Sequence, residues 1–229
     1  MSLIRAVRWM IFAVSVALLG GSAAFAENAP YVGAYEPDTF FSTITSNEMA
    51  ALRTKKILFA SRSFGLNMRD GLDRLKIKNP MHDLLNSYVR YDVFGANGDL
   101  SIIPTNVFSS YNFVHFLCTF SPFSKRLDEV ETLLRQAPYS FGNQVDVVLV
   151  YYHTADAALF PTYTNKMDTL QRDFPNIKFI YVTSGFSGPQ YNSNNTNSAA
   201  FGALVRAKYK GNVPLYDLGY ILSNDGGCG

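Results

Sequence analysis

The sequence predicts an α/β fold of three layers: five parallel strands with helices on both faces. Two observations lead there. Apolar runs of strand length alternate with segments whose apolar residues recur at helical spacing. The run Val147-Val148-Leu149-Val150-Tyr151-Tyr152 is continuously apolar, as in a strand covered on both faces.

Met1 to Ala26 stands apart from that fold. Arg5 and Arg8 precede an apolar run from Trp9 to Leu19, and small residues end at Ala24-Phe25-Ala26. This is the pattern of a signal peptide with an A-x-A site, cleaved before Glu27. The apolar run is short for a membrane span. The protein is therefore read as exported, periplasmic or secreted, with no integral span after cleavage; an uncleaved anchor is the alternative.

Residues 27 to 54 read as an N-terminal extension leading into a short helix near Ser46 to Leu52. The domain proper covers residues 55 to 229. Lys56 to Ala60 is its first strand, and Leu66, Met68, Leu72 and Leu75 mark the helix after it. Pro80 breaks that pattern. Tyr88 to Phe94 is the second strand, ending in the turn-rich Gly95-Ala96-Asn97-Gly98. An irregular segment runs on to Phe120, and Ser121-Pro122 opens a helix with Leu127, Val130, Leu133 and Leu134 on one face. Asp146 to Tyr152 is the third strand. A helix from Tyr163 to Asp173 is stopped by Phe174-Pro175, and Ile177 to Thr183 is the fourth strand. A Gly/Ser/Asn loop from Ser184 to Asn195 precedes a helix from Thr196 to Tyr209. Val213 to Leu218 is the fifth strand. Right-handed crossovers make this order flavodoxin-like.

Composition excludes some classes of function. Of 20 Lys and Arg, two lie in the leader, leaving 18 against 18 Asp and Glu. A neutral chain lacks the footprint of a nucleic-acid binder. No CxxC or clustered His/Cys spacing marks a metal site. The turn Ala60 to Gly65 lacks the spacing of a dinucleotide fingerprint, so no cofactor is expected. Cys118, inside FVHFLCTF, is expected as a buried free thiol rather than a partner of Cys228. Asn194-Asn195-Thr196 matches a glycosylation sequon within an Asn-rich tract, where it carries little weight.

Loops at the carboxyl ends of parallel strands bind ligands in such folds. Here they carry Ser61, Arg62 and Ser63; then Gly95, Asn97 and Gly98; then His153, Thr154 and Asp156; then Thr183 and Ser184. Asp217 falls in the fifth strand and Asp225 beyond it. Ser61 or Ser63 in the first turn can cap the helix or act on a ligand.

These residues resemble the SGNH/GDSL-type hydrolases, a superfamily of flavodoxin-like esterases, acyl hydrolases and carbohydrate deacetylases. Ile57-Leu58-Phe59-Ala60 running into Ser61-Arg62-Ser63-Phe64 is similar to the strand and Gly-Asp-Ser-Leu block, with Ser63 at the nucleophile. Gly95 matches the glycine of the second block. His153-Thr154-Ala155-Asp156 stands where Gly-x-Asn-Asp is usual, so the oxyanion asparagine is replaced. Asp225-Gly226-Gly227-Cys228 is the nearest match to Asp-x-x-His. SRSFGLNMRDGL, Thr183, the Asn-rich loop and YDLGYILS resemble a little-characterised SGNH-like group with a Ser-x-Gly turn.

The resemblance implies Ser63 as nucleophile, His153 or a histidine absent from this chain as base, and Asp225 as the acid member. Ser63 and Gly95 would supply oxyanion N–H groups, while Arg62, Asn97 and Asp156 would contact substrate. A chain stopping at Gly229 falls short of the Asp-x-x-His loop and terminal helix, so truncation is one expectation. Of the other histidines, His82 is expected on a solvated helical face and His115 to be packed among aromatics. Two functions follow: hydrolysis of an ester or acyl group, small or carbohydrate-linked, or non-catalytic binding of glycan or acyl groups in the same cleft.

Overall fold

The computed structural model describes residues 31–32, 44–62, 64–85, 87–119, 123–151, 156–185 and 192–224. The expected leader, Ser63, His153, Thr154, Asp225 and Cys228 lie outside them. The fold is α/β with three layers. The strands are β1 (Tyr31–Val32), β2 (Ile57–Ser61), β3 (Tyr88–Tyr91), β4 (Phe113–Leu117), β5 (Val147–Val150), β6 (Lys178–Val182) and β7 (Leu215–Tyr216). The helices are α1 (Ser46–Arg53), α2 (Phe64–Lys78), α3 (Val107–Ser110), α4 (Phe123–Arg135), α5 (Phe160–Asp173), α6 (Asn192–Tyr209) and α7 (Leu218–Asn224).

The sheet runs β1-β7-β6-β5-β2-β4-β3, and every pairing is parallel. Its core, β4-β2-β5-β6-β7, is the flavodoxin strand order. Seven described strands replace the expected five. Phe113–Leu117, read from sequence as irregular, is the inner neighbour of β2, while the expected second strand is an edge beyond it. The N-terminal extension supplies a second edge strand and α1.

The alternation of side chains along the strands builds two cores. Ile57, Phe59, Val147, Leu149, Ile180 and Val182 face α1, α2 and α7. Leu58, Ala60, Val114, Phe116, Val148 and Val150 face α3, α4, α5 and α6. All five residues of β2 are buried. Each large side chain there contributes about 1.5–3 kcal/mol by leaving water.

Local signals set the helix ends. Thr45 and Glu48 form a capping box before α1. Met68, Leu72 and Leu75 bury one stripe of α2, and Asn79-Pro80 turns the chain into a 3-10 segment. His82, in that segment, is buried rather than solvated. Gly211, at φ +84°, permits the turn after α6. α6 also begins earlier than expected, inside the Asn-rich stretch.

Candidate functional site

The chain leaves β2 toward β3 and β4 on one side, then crosses to β5 on the other. That reversal makes the carboxyl ends of β2, β4 and β5 the switch point where open α/β sheets bind ligands. β2 is held there to its last residue. Tyr151 N–H donates to Ala60 O at 2.8 Å, and Cys118 N–H donates to Ser61 O at 2.9 Å. One residue later the chain is past the sheet, and α2 starts at Phe64.

Ser61 lies at the centre of this edge. Its Oγ is 2.5 Å from His115 Nε2, and His115 Nδ1 is 3.0 Å from the Tyr88 hydroxyl. The three side chains cross adjacent strands β2, β4 and β3. His115 stacks on Phe59, with ring centroids 4.6 Å apart. Burial, helped by the charges of Arg90 and Arg69, pushes the His115 pKa down to about 3. The ring is therefore neutral near pH 7, with one N–H: it donates to one hydroxyl and accepts from the other. Burial likewise raises Tyr88 to about 12. Serine, histidine and a third orienting group have the connectivity of an activated nucleophile. Yet Ser61 and His115 are both 0% exposed, and Gly65 of α2 lies so close that a Cβ there would sit 1.9 Å from Ser61 Oγ. Substrate has no route to this hydroxyl. The chain fastens the sheet under the first turn of α2.

Beside it, at the end of β4, is a charged cluster. Arg62 donates from one terminal nitrogen to Cys118 O at 3.0 Å, and its guanidinium carbon lies 3.3 Å from the Phe94 ring centroid. The Glu129 carboxylate accepts from Thr119 N–H at 3.0 Å and from the Thr119 hydroxyl. Arg126 donates from Nε to Thr119 O at 3.1 Å. Burial, then the charge of Arg126, lowers the Arg62 pKa; Asp92, Cys118 and Glu129 oppose this. Cys118 is free and fully buried, and burial raises its thiol pKa.

A third group closes the β6 and β7 end. The Thr183 hydroxyl donates to Asp217 Oδ1 at 2.9 Å and accepts from Gly219 N–H at 2.9 Å. Arg206 reaches both Asp217 oxygens, its outer nitrogen at 3.0 Å. Asp217 is fully buried and lies just past β7, not within it.

The remaining predicted residues serve local turns. Gly95 is exposed, follows edge strand β3, and gives its N–H to Asp92 Oδ1 at 2.8 Å. That donor is thus spoken for, and the oxyanion role expected of it has no support. Asn97 and Gly98 take left-handed backbone, at φ 54° and 86°. Asp156 accepts from Ala158 N–H at 2.8 Å and caps a 3-10 turn. The pairing of Ser61 with His115 joins residues 54 positions apart and has no local signal in the sequence.

Among the described residues no group of three His, Cys, Asp or Glu could hold a metal ion. No described helix is long and apolar enough to cross a membrane. A groove of about 520 Å³, lined by Asp168, Arg172 and Lys208 among others, lies between α5 and α6 at the opposite edge of the sheet and holds no serine or histidine. Comparison with protein-family models, curated proteins and solved structures finds no match to this chain.

Proposed function

We propose that the protein is an exported hydrolase of the SGNH type, acting on an ester or acyl substrate through Ser63. The observation that carries this reading is that central strand β2 ends at Ser61, at the switch point, and α2 begins at Phe64, so that in the sequence Ser63 falls between strand end and helix start. A hydroxyl between a strand end and a helix start meets backbone N–H groups that stabilise an oxyanion. Ser61, sealed with His115, is the support of this turn. That leaves Ser63 to react.

In this mechanism Ser63 Oγ attacks the acyl carbonyl while a base takes the hydroxyl proton. His153 is the histidine of this chain assigned that role. The tetrahedral intermediate collapses, the C–O bond to the alcohol breaks, and the base returns its proton to the leaving oxygen. Water then adds to the acyl-serine by the same steps, releasing acid and restoring Ser63.

A fluorophosphonate probe and p-nitrophenyl acetate, applied to the full chain, test this. Ser63→Ala should abolish labelling and lower turnover by about a thousandfold or more; Ser61→Ala should cost less. Labelling that survives Ser63→Ala removes Ser63 from the mechanism. A second reading, a non-catalytic binding protein, is favoured by one observation. The serine–histidine hydrogen bond present among the described residues is sealed from substrate. Wild-type protein with neither labelling nor turnover would establish that reading over the first.

A further inference from the structure

We propose that the outer edge of β3 pairs with the β3 of a second copy of this chain. The two strands run antiparallel about a two-fold axis at Val89, so that one sheet continues through both molecules. The assembly is independent of the chemistry at the switch point.

Among the described strands β3 ends the sheet, with β4 on its inner side. Phe113 N–H donates to Ser87 O at 3.0 Å, and the parallel register sets Tyr88 opposite Phe113. Ser87, Val89 and Tyr91 therefore turn their backbone groups toward β4, while the N–H and C=O of Tyr88 and Arg90 point outward. Those four groups have no partner among the described residues. The strand, Tyr88-Val89-Arg90-Tyr91, holds no proline, and its register with β4 is unbroken by a bulge. An edge left open in this way is a template for another strand.

Charge names the second strand and its register. Side chains alternate along β3, so Tyr88 and Arg90 share the face covered by α2. There the Arg69 guanidinium carbon lies 5.5 Å from the Tyr88 ring centroid. Arg69 is held by two carboxylates, Asp70 at 3.0 Å and Asp73 at 2.8 Å, so this group is net negative. Arg90 is exposed and has no ion-pair partner among the described residues. With Val89 opposite the partner's Val89, Tyr88 exchanges two N–H···O bonds with the partner's Arg90, and symmetry repeats the pair. Each Arg90 then lies beside the acidic group of the other chain. A register centred on Arg90 would instead set two arginines face to face, and one centred on Tyr88 would carry each Arg90 past the start of the other strand. The complement of this surface is the surface itself.

Exposed apolar groups gather at the same edge. Among the described residues three large apolar side chains stand open to water, and two of them bracket β3: Ile77, near the end of α2, and Phe94, just past the strand. Antiparallel pairing sets the start of one strand beside the end of the other, which carries these two corners toward each other. On the opposite face the two Val89 side chains meet at the axis, a β-branched pair of the kind that stabilises strand pairing.

Sedimentation velocity of the full chain, from about 1 to 100 µM, should show the 25.5 kDa species giving way to one of twice that mass. Arg90→Pro removes an outward N–H and none that β4 uses. Arg90→Glu sets a carboxylate against the partner's Asp70 and Asp73. Each should raise the dimer Kd by about tenfold or more, while Arg90→Lys should keep most of the affinity. Far-ultraviolet circular dichroism checks that the variants are folded, and Arg90→Glu decides alone if Arg90→Pro is not. The register is read by cross-linking in a Cys228→Ser background. Two Val89 positions across the axis lie about 4.5 Å apart between Cα atoms, within disulfide reach. Oxidation should therefore link two chains carrying Val89→Cys and leave Tyr91→Cys unlinked. A wild type that stays monomeric at about 100 µM, a Kd unchanged in folded Arg90→Glu, or a dimer that Val89→Cys does not link overturns the proposal.

Discussion

Replacing His115 by Gln should remove a specific part of the protein's acid sensitivity. The imidazole is 0% exposed, hydrogen-bonded to Ser61 and Tyr88, and stacked on Phe59. Burial, then Arg90 and Arg69, hold its pKa near 3 in the folded chain, against an ordinary value of 6.5. Between those values the unfolded chain takes up a proton that the folded chain refuses. Stability from this residue is therefore whole above pH 6.5 and is lost as pH falls toward 3. At about pH 5 the group lies some 1.5 units below its unfolded pKa, a loss of about 2 kcal/mol at 1.36 kcal/mol per unit. Gln does not titrate, yet its amide can donate and accept. Urea unfolding of both full chains at about pH 7.5 and pH 5 measures the effect, with m-values compared to confirm like transitions. The wild type should lose about 2 kcal/mol more than His115→Gln over that interval. His115→Gln should itself cost about 1 kcal/mol at pH 7.5 from the lost ring stack. Equal pH dependence in the two chains would refute the buried, neutral imidazole.

Two further substitutions probe the frame around the site. Asp217→Ala strips the carboxylate that gathers Thr183 and Arg206 and should cost about 3 kcal/mol, seen calorimetrically as a fall in Tm of roughly 10 °C; a change below about 3 °C would show the cluster is not stabilising. Gly65→Ala would place a Cβ 2.4 Å from Ser61 Cβ. It should destabilise by about 1–3 kcal/mol despite the better helix propensity of alanine, and an unchanged or raised unfolding midpoint would contradict the close approach of α2 to β2.

Much of the fold was legible in the order of residues, because its signals are local. Ile57 to Ala60, Val147 to Val150 and Phe179 to Val182 are apolar runs that only a strand covered on both faces accommodates. Met68, Leu72 and Leu75, like Val130, Leu133 and Leu134, repeat with the period of a helix having one buried stripe. From these alone came the parallel sheet, its two helical layers and the edge where strands give way to polar loops. What the sequence could not reveal depends on pairing across distance. Phe113–Leu117 carries a histidine in mid-run after a turn-rich stretch, so it read as irregular. It is a strand because β2 and β3 supply hydrogen-bonding partners on both sides, with Phe59 opposite His115. That same register brings Ser61 and His115 together from 54 positions apart. It turns a serine at a ligand-binding edge into a sealed structural link, and it leaves Gly95 beside an outer strand with its N–H given to Asp92. Local propensity sets which residues form strands and helices. Which polar side chains meet, and which of them water can reach, is decided by the order of strands in the sheet, and no short stretch of chain encodes that order.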